Sequence, residues 1–194
     1  MGLIISSQFI LTRCNFKIIQ LMLKKEISLI PIEASSVTQI LQICGDCKIS
    51  SWTAKDYIDE LKRSDSFSIS CVTNHQKNTI GFIFVRLITS KHKDNLSFKK
   101  DLEQNLDFDE AEILNIAILP EYQGKGIGQI IFDCFVNFCI SRRIHTIWLE
   151  VRKSNKQAQG FYSKNGFQIF YSRKNYYQNP VEDAFVMKVN LSFI

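Results

Sequence analysis

The sequence predicts a mixed α/β fold in which a central sheet carries helices on both faces. Strand-like and helix-like apolar segments alternate along most of the chain, which is the pattern of that class. A glycine-rich turn, Gln123–Gly128, separates a strand-like segment from a segment with helical periodicity. The 194 residues are 45% hydrophobic and contain no linker-like stretch, so they suffice for one domain with its own core.

Before the glycine-rich turn, apolar periodicity and turn residues define two helices and four strands: β 27–32, α 35–44, α 53–61, β 67–72, β 80–88 and β 111–119. A short polar turn at 74–78 joins strands 67–72 and 80–88 into a hairpin. Residues 89–110 are highly charged, so we expect a long surface loop there, with a short helix near 98–106 as an addition to it.

The glycine-rich turn is followed by a helix with one apolar face. Its apolar residues recur at helical spacing: Ile127, Ile130, Ile131, Cys134, Phe135, Phe138 and Cys139. A strand is predicted at 146–151. A capping box at Ser154–Gln157 then opens a helix that Asn165-Gly166 ends in a left-handed turn. Strands at 167–172 and 184–191 complete the sheet.

The charge of the chain is unevenly distributed. Residues 1–25 hold 4 of the 24 Lys and Arg residues and no acidic residue, which leaves 20 basic and 19 acidic side chains in residues 26–194. This near-neutral body argues against a dedicated nucleic-acid binder. Residues 1–25 have the composition of a transit peptide, a membrane-surface segment or a plain extension, and their apolar runs are too short to span a bilayer. Met22 is an alternative start.

The 6 cysteines predict core residues in a reducing compartment rather than a disulfide framework. Cys44 and Cys47 have the spacing of a redox or zinc motif. Neither a second cysteine pair nor a histidine pair accompanies them in the sequence. We therefore expect no metal site.

The glycine-rich turn has the features of a phosphate-binding site. A turn between a strand and a helix directs N–H groups and the positive end of the helix dipole at one point, which suits a pyrophosphate. The turn lacks the Lys-Ser or Lys-Thr of a P-loop and the glycine order of a dinucleotide fingerprint. It fits the pattern Gln/Arg-x-x-Gly-x-Gly/Ala, with Gln123, Gly126 and Gly128 at the three defined positions. A plain glycine-rich turn is the alternative.

A second candidate site lies at the end of strand 146–151, where Glu150 shares a face with Trp148. Burying an unpaired carboxylate is costly, so Glu150 is either paired with Arg152 or another base, or it is a general base for a primary ammonium group. Tyr162 on the following helix is either a core tyrosine packed beside Phe161 or a proton donor to a leaving thiolate.

Several segments together resemble the GNAT acyltransferases, and in particular the bacterial ribosomal-protein alanine N-acetyltransferases. The segments that carry the resemblance are 111–118, 123–128, 148–155, 161–167, 173–177, 182–184 with Met187 and, weakly, 51–53. The resemblance is dense over 111–191 and sparse over 26–88. It implies a GNAT-like mixed, mostly antiparallel sheet and an acetyltransferase that uses acetyl-CoA, without a metal.

The resemblance also assigns roles to individual residues. Glu150 is the expected proton acceptor and Tyr162 the expected proton donor. The expected contacts with acetyl-CoA are Ile116, Ala117, Ile118, Gly124, Lys125, Gly126, Ile127, Gly128, Gln129 and Asn155. Tyr176 and Tyr177 are expected to line the cleft for an acceptor peptide. The 89–110 segment is longer than the family's pattern and precedes the expected cofactor strand.

The acceptor that the resemblance implies is the N-terminal alanine amine of a small-subunit ribosomal protein. An α-amine has a pKa of about 7.7–8.0 against about 10.4 for lysine, so a carboxylate base deprotonates it more easily. Direct transfer in a ternary complex is expected because Cys134 and Cys139 lie on an apolar helix face. A GNAT that acetylates a lysine side chain or a small amine is one alternative, and a non-enzymatic acyl-CoA-binding or ribosome-associated module is another.

The same reasoning yields an expectation for the setting of the protein. We expect a cytoplasmic protein with no membrane span and no direct contact with nucleic acid. The composition of residues 1–25 leaves organellar targeting open. The sequence does not determine the oligomeric state.

Overall fold

The computed structural model describes residues 26–49, 52–89 and 108–192. Within them the chain forms β1 Ile27–Pro31, α1 Val37–Cys47, α2 Ala54–Leu61, β2 Ser66–Thr73, β3 Thr79–Ile88, β4 Glu110–Ile118, α3 Ile127–Ser141, β5 Thr146–Arg152, α4 Lys156–Lys164, β6 Gln168–Gln178 and β7 Val181–Asn190. Short 3-10 turns at Ala34–Ser36 and Pro120–Tyr122 precede α1 and α3. The predictions for residues 1–25, for Ser51 and for most of the 89–110 segment, including its short helix, lie outside the described residues.

The seven strands form one mixed sheet in the order β1-β2-β3-β4-β5-β7-β6. β4 and β5 pair in parallel, with Glu110–Ile113 opposite Thr146–Leu149. The pairs β1–β2, β5–β7 and β6–β7 are antiparallel. The predicted class, a mixed and mostly antiparallel sheet with helices, is therefore confirmed.

The chain divides into two compact units. The first unit comprises Met1–Val85 and Asn115–Phe138, so its described part contains β1, β2, α1, α2 and the glycine-rich turn. Its core is built on aromatic rings: Tyr57 packs against Phe82 and Phe84 with ring centroids 6.3 and 5.0 Å away. The apolar face predicted for α3 contributes Ile127, Ile130, Ile131 and Phe135 as buried residues of this unit.

The second unit comprises Arg86–Leu114 and Cys139–Ile194, and its described part contains β5, β6, β7 and α4. In β5 the buried side chains Ile147, Leu149 and Val151 alternate with partly exposed ones. This alternation is the one predicted from the sequence, and it places Glu150 on the face opposite the apolar residues. One side of β5 is thus core, and the other side is available for polar chemistry.

The ends of α4 are set by short-range hydrogen bonds. The predicted left-handed stop is confirmed, because Gly166 has a φ of +87°, a value that glycine adopts without steric cost. The predicted start is wrong by one residue. Asn155, not Ser154, caps the helix, since its side-chain oxygen accepts a hydrogen bond from the Ala158 N–H at 3.0 Å.

β6 and β7 are longer than predicted and turn through Asn179 and Pro180. The sequence predicts that the first of these strands ends at Ser172, before Tyr176 and Tyr177. The tyrosines favour a strand, and an irregularity between Arg173 and Tyr177 accommodates the residues that break the alternating pattern. The consequence is that Arg173, Tyr176 and Tyr177 belong to a strand that pairs with β7.

Gly81 in β3 provides a test of the packing under the end of β4. A Cβ atom at this position would meet the Ile118 Cδ1 atom, and it would lie 3.0 Å from the Ala117 carbonyl oxygen. We expect Gly81→Ala to lower the free energy of unfolding by about 1–3 kcal/mol in urea titrations, because the backbone of β4 must shift. Gly45→Ala in α1 is the control, since a Cβ there meets nothing within 4 Å. Equal effects of the two substitutions would show that the contact with β4 is not tight.

Candidate active site

In the first unit, the backbone of the glycine-rich turn requires glycine at only some of its glycine positions. Gly124 and Gly126 have φ values of +69° and +86°, which are strained for any residue with a Cβ atom. Gly128 begins the regular part of α3, and a Cβ there would make an ordinary contact of 3.7 Å with Ile118. The two left-handed glycines bring the chain from the 3-10 turn onto the axis of α3. The first N–H groups of α3 then point out of its N-terminus.

The other predicted cofactor residues of this unit differ in what they can offer a ligand. Ile127 and Ala117 are buried, so only their backbone groups are available. The Lys125 ammonium lies 5.1 Å from the centre of the Tyr122 ring. Its charge therefore stays beside the turn, where an anion would bind. Gln129 bonds Asp133 at 2.8 Å and is also a part of the first turn of α3.

In the second unit, the Glu150 carboxylate is mostly buried and is paired with a cation. Its side chain is 14% exposed, and its Oε1 atom is 2.6 Å from Nη1 of Arg173. The Tyr176 hydroxyl donates a second hydrogen bond to the same carboxylate. Ion pairing of Glu150, one of the two alternatives from the sequence, is therefore present, but Arg152 is not the partner. Arg152 instead bonds Glu182 at 3.2 Å.

Arg173 is held from both sides. Its Nε and Nη2 atoms lie 3.3 and 3.2 Å from the Tyr171 hydroxyl oxygen, and its guanidinium carbon is 5.3 Å from the centre of the Tyr176 ring. It is nevertheless 45% exposed. The guanidinium thus pairs with the Glu150 carboxylate and is still partly open to solvent.

Glu112 in β4 is a second carboxylate of this site, and sequence reasoning missed it. Burial raises the pKa of Glu112, and the charge of Glu150 raises it further, whereas Arg86 and Arg173 lower it. Arg173 therefore interacts with both carboxylates. The signal in the sequence is the same as for Glu150: a carboxylate between apolar residues of a strand. Arg173 carried no comparable signal, because its partner is distant in sequence.

Tyr176 and Tyr177 of β6 are neutral in the range of ordinary pH. Burial, followed by the bond to Glu150, raises the pKa of Tyr176 to about 12. Burial, followed by the charge of Glu150, raises the pKa of Tyr177 to about 12. Both phenols can therefore donate hydrogen bonds to a carboxylate or to a peptide carbonyl group.

Tyr162 in α4 is 6% exposed and packs between Phe161 and Phe167, with both ring centroids 5.5 Å away. The packing beside Phe161 is the one that the core alternative predicted. Burial raises the pKa of the Tyr162 phenol, and the neighbouring Tyr177 raises it further. The phenol is thus a weaker acid than the sequence argument assumed, although it keeps the proton that a donor must have. Its role as a proton donor stays a prediction.

The turn between β5 and α4 is fixed by charged hydrogen bonds. Glu182 accepts from the Ser154 N–H and from Arg152, and these bonds lower its pKa. Gln159 donates to the Arg152 and Lys153 carbonyl oxygens at 2.9 Å each. Asn155 is thereby held at the start of α4. Its oxygen is used by the Ala158 N–H, so its amide NH2 group is the part that can meet a ligand.

The remaining reactive side chains of the described residues do not form a further centre. No group of three or more His, Cys, Asp and Glu residues in the described ranges is arranged to hold a metal ion. Burial raises the pKa of the Cys139 thiol to about 12, and it also raises that of Cys134. Both are poor nucleophiles, as direct transfer requires. Among the described helices, none has the length and apolar character needed to cross a membrane.

The carboxylates of this unit make the free energy of unfolding depend on pH. Glu112 and Glu182 contribute to this dependence with opposite signs. The pKa of Glu112 is raised in the folded state, so its ionised form destabilises the protein as pH rises through that range. We expect Glu112→Gln to be more stable than the wild type at pH 7, with the difference lost below the unfolded pKa of about 4.3. Urea titrations between pH 3 and pH 7 measure this difference.

Glu182 provides the opposite control within the same unit. Its pKa is lowered in the folded state, so it stabilises the protein above its unfolded pKa, and this contribution is lost as pH falls through the folded pKa. Glu182→Gln is therefore expected to be less stable than the wild type at pH 7, and equal to it in acid. Shifts of the same sign in the two variants would contradict this account of the site.

Comparisons with known proteins agree with the fold. The model of the acetyltransferase (GNAT) family matches residues 37–167. The chain is 45% identical over 84 residues to the putative ribosomal protein bS18-alanine N-acetyltransferase of Bacillus subtilis strain 168, an alignment that covers 43% of this chain and 56% of that protein. It is 38% identical over 86 residues to the ribosomal protein bS18-alanine N-acetyltransferase of Escherichia coli K12, covering 43% and 58%. The chain thus spans little more than half the length of these relatives.

Solved structures extend the similarity of fold over more of the chain. The crystal structure of the ribosomal-protein-S18-alanine N-acetyltransferase from Escherichia coli has a TM-score of 0.69 at 24% identity, over 87% of this chain and 96% of that one. Arabidopsis thaliana NAA60 in complex with a bisubstrate analogue has a TM-score of 0.71 at 18% identity, over 86% and 99%. At these identities the likeness shows the fold, and the family model covers two thirds of the sequence. The chain therefore belongs to the GNAT acetyltransferase family.

Proposed function

We propose that this protein transfers the acetyl group of acetyl-CoA to the N-terminal alanine amine of a protein, namely a small-subunit ribosomal protein. The observation that carries the proposal is the partly buried Glu150 carboxylate, which is paired with a cation. A buried carboxylate that stabilises a guanidinium is also suited to a substrate ammonium group. The relatives that are 45% and 38% identical over their aligned parts bear the name of this activity.

The chemistry requires two protons to leave the ammonium nitrogen and one proton to reach the thiol, so one proton is released to solvent in each turnover. Glu150 takes a proton from the ammonium group, and the neutral nitrogen attacks the carbonyl carbon of the thioester. The new C–N bond forms as the C–S bond breaks, and the CoA sulfur leaves as a thiolate. Tyr162 gives its phenol proton to this sulfur, and the second proton that the nitrogen loses as the C–N bond forms restores the phenol. The acetyl group passes directly from sulfur to nitrogen, without a cysteine intermediate.

The donor would be held by backbone groups and by one amide. The N–H groups of Gly124–Gly128 are suited to the pyrophosphate, with Lys125 beside them. The Gln129 N–H donates to the Gly126 carbonyl oxygen at 3.0 Å, so Gln129 would contact the donor through another of its groups. Ile116, Ala117 and Ile118 would bond the pantetheine arm through their backbone. The pairing of β4 with β5 ends at Ile113, which supports a free edge for such bonds further along β4. Asn155 would meet the same arm with its NH2 group.

The preference for an N-terminal amine follows from its acidity. An α-amine loses its proton near pH 7.7–8.0, roughly 2.5 units below a lysine side chain, so a carboxylate base has less work to do. Tyr176 and Tyr177 remain the expected walls of the peptide cleft, since both lie around Glu150. Acetylation of a lysine side chain or a small amine is the second candidate. It is kept because the alignments with the named relatives cover only 56% and 58% of those proteins.

The acceptor class can be tested with short peptides. We expect acetyl-CoA to release its thiol with a hexapeptide that begins with alanine, and not with the same peptide carrying a blocked N-terminus and one lysine. Thiol release is followed with a chromogenic disulfide, and mass spectrometry locates the acetyl group. Equal or greater release with the lysine peptide would replace the proposed acceptor by the second candidate. Acetyl-CoA binding without release with either peptide, or with a polyamine, would favour a binding module.

The two proton-transfer residues can be tested by removing the groups that carry the protons. We expect Glu150→Gln and Tyr162→Phe each to lower kcat by about 10²- to 10⁴-fold, the usual contribution of general acid or base catalysis. The dissociation constant for acetyl-CoA, measured by calorimetry, should stay nearly unchanged. Glu33→Gln is the control for the first variant, because the Glu33 side chain is exposed. Loss of acetyl-CoA binding in the two test variants would mean that these residues are structural.

A further inference from the structure

We propose that Cys47 and Gln123 are positioning residues for the acetyl donor, which together hold the Ile118 carbonyl group and so set the direction of the backbone that binds the donor. This inference rests on the proposed use of acetyl-CoA. All three residues lie in the first unit. Neither side chain has a place in the chemistry described above.

Two donors from different parts of the chain converge on one oxygen atom. Nε2 of Gln123, the first residue of the glycine-rich turn, lies 2.9 Å from the Ile118 carbonyl oxygen. Sγ of Cys47, the last residue of α1, lies 3.2 Å from the same oxygen. The Gln123 amide and the Cys47 sulfur are 3.9 Å apart. Both lone pairs of the carbonyl are thus used, and α1, β4 and the turn are joined at this atom.

The other end of the same peptide group is held as well. The Leu119 N–H donates to the Ile80 carbonyl oxygen at 2.9 Å. The peptide plane between Ile118 and Leu119 is therefore fixed through its oxygen and through its nitrogen. On the side of β3, Ile118 packs over Gly81, where a Cβ atom would meet its side chain.

This peptide is the point from which both proposed donor-binding segments extend. Ile116–Ile118 precede it, and the turn that leads to Gly124–Gln129 follows it. Rotation of the plane would change the direction of the N–H groups on either side together. The bonds from Cys47 and Gln123 thus fix the relative placement of the groups for the pantetheine arm and for the pyrophosphate. Preorganised donors cost less to order when the ligand binds.

The state of the Cys47 thiol fits a donor. Burial raises its pKa, and the neighbouring Cys44, Asp46 and Glu121 raise it further. The sulfur is therefore an S–H group near neutral pH, and only this form donates a hydrogen bond. The Cys44–Cys47 spacing, which first indicated a redox or zinc motif, has a structural use instead: Cys44 lies 3.1 Å from the Tyr57 hydroxyl, and Cys47 holds β4.

Gln123 has a use that its place in the motif does not suggest. As the first residue of a phosphate-binding pattern, it would be expected to offer its amide to the pyrophosphate. The amide instead donates to the carbonyl oxygen of Ile118, five residues earlier in the chain. Gln123 would then act through Ile118 on every part of the donor, including the part without phosphate.

The test compares two acetyl donors, acetyl-CoA and S-acetylpantetheine, the second of which lacks the pyrophosphate. We expect Gln123→Met and Cys47→Ala each to raise KM for both donors by the same factor, about 2- to 10-fold, as the loss of one neutral hydrogen bond predicts. kcat at saturating donor should change less than twofold. Cys47→Ser, which keeps a donor, should restore KM, and the double variant should lose less than the product of the single effects.

The controls separate positioning from stability. Gln42→Met makes the same replacement at an exposed position of α1 and should leave KM unchanged. A rise in KM for acetyl-CoA alone in Gln123→Met would make Gln123 a phosphate ligand and overturn the inference. Unchanged KM values in both single variants would overturn it as well. A wild-type protein that uses neither donor would contradict the proposed function itself, and the inference would fall with it.

Discussion

A carboxylate that is mostly removed from water must be paired or must give up its charge, and this constraint shapes the second unit. Glu150 and Glu112 lie on neighbouring strands of the parallel pair, and Arg173 on β6 is the cation that interacts with both. β6 must therefore extend beyond its apolar residues, because Arg173 follows them in the strand. The Tyr171 hydroxyl and the Tyr176 ring then hold the guanidinium in place.

The same constraint has a functional consequence. Arg173 pairs with Glu150 and balances its negative charge. In the proposed function, a substrate ammonium group takes over that balance by displacing the guanidinium from one carboxylate oxygen. Because Arg173 is exposed and has a second set of contacts on Tyr171, it has a place to remain when that happens. In the proposed reaction, the acceptor replaces Arg173 as the cation beside Glu150.

The sequence predicted the class of the sheet, the glycine-rich turn and the alternation of β5, because each of these depends on local pattern. Gly126 and Gly166 are needed for the backbone alone, and Ile147, Leu149 and Val151 alternate along a strand. The start of α4 was missed by one residue because Ser154 and Asn155 are both good caps, and only the bond to Ala158 separates them. The single-domain prediction stays a prediction beside the two compact units.

What the sequence could not provide is the set of contacts between distant segments. Arg152 was the nearest base to Glu150 in sequence, yet the partner is Arg173, which comes from the strand two positions away in the sheet. The bond from Cys47 to Ile118 joins residues 71 positions apart. Such pairs depend on sheet order, which the alternation of apolar residues does not encode. The locations expected for residues 1–25 and the cytoplasmic setting likewise stay predictions.

The central claim is that Glu150 receives the proton of an N-terminal amine. The most direct measurement is a crystal structure with a conjugate that joins CoA, through an acetyl group, to the α-nitrogen of an alanyl peptide. The account predicts that this nitrogen lies within hydrogen-bond reach of the Glu150 carboxylate, about 3 Å away or through one water, with Arg173 displaced from the oxygen that faces it. A conjugate bound with its α-nitrogen elsewhere, and with the bond between Glu150 and Arg173 intact, would contradict it.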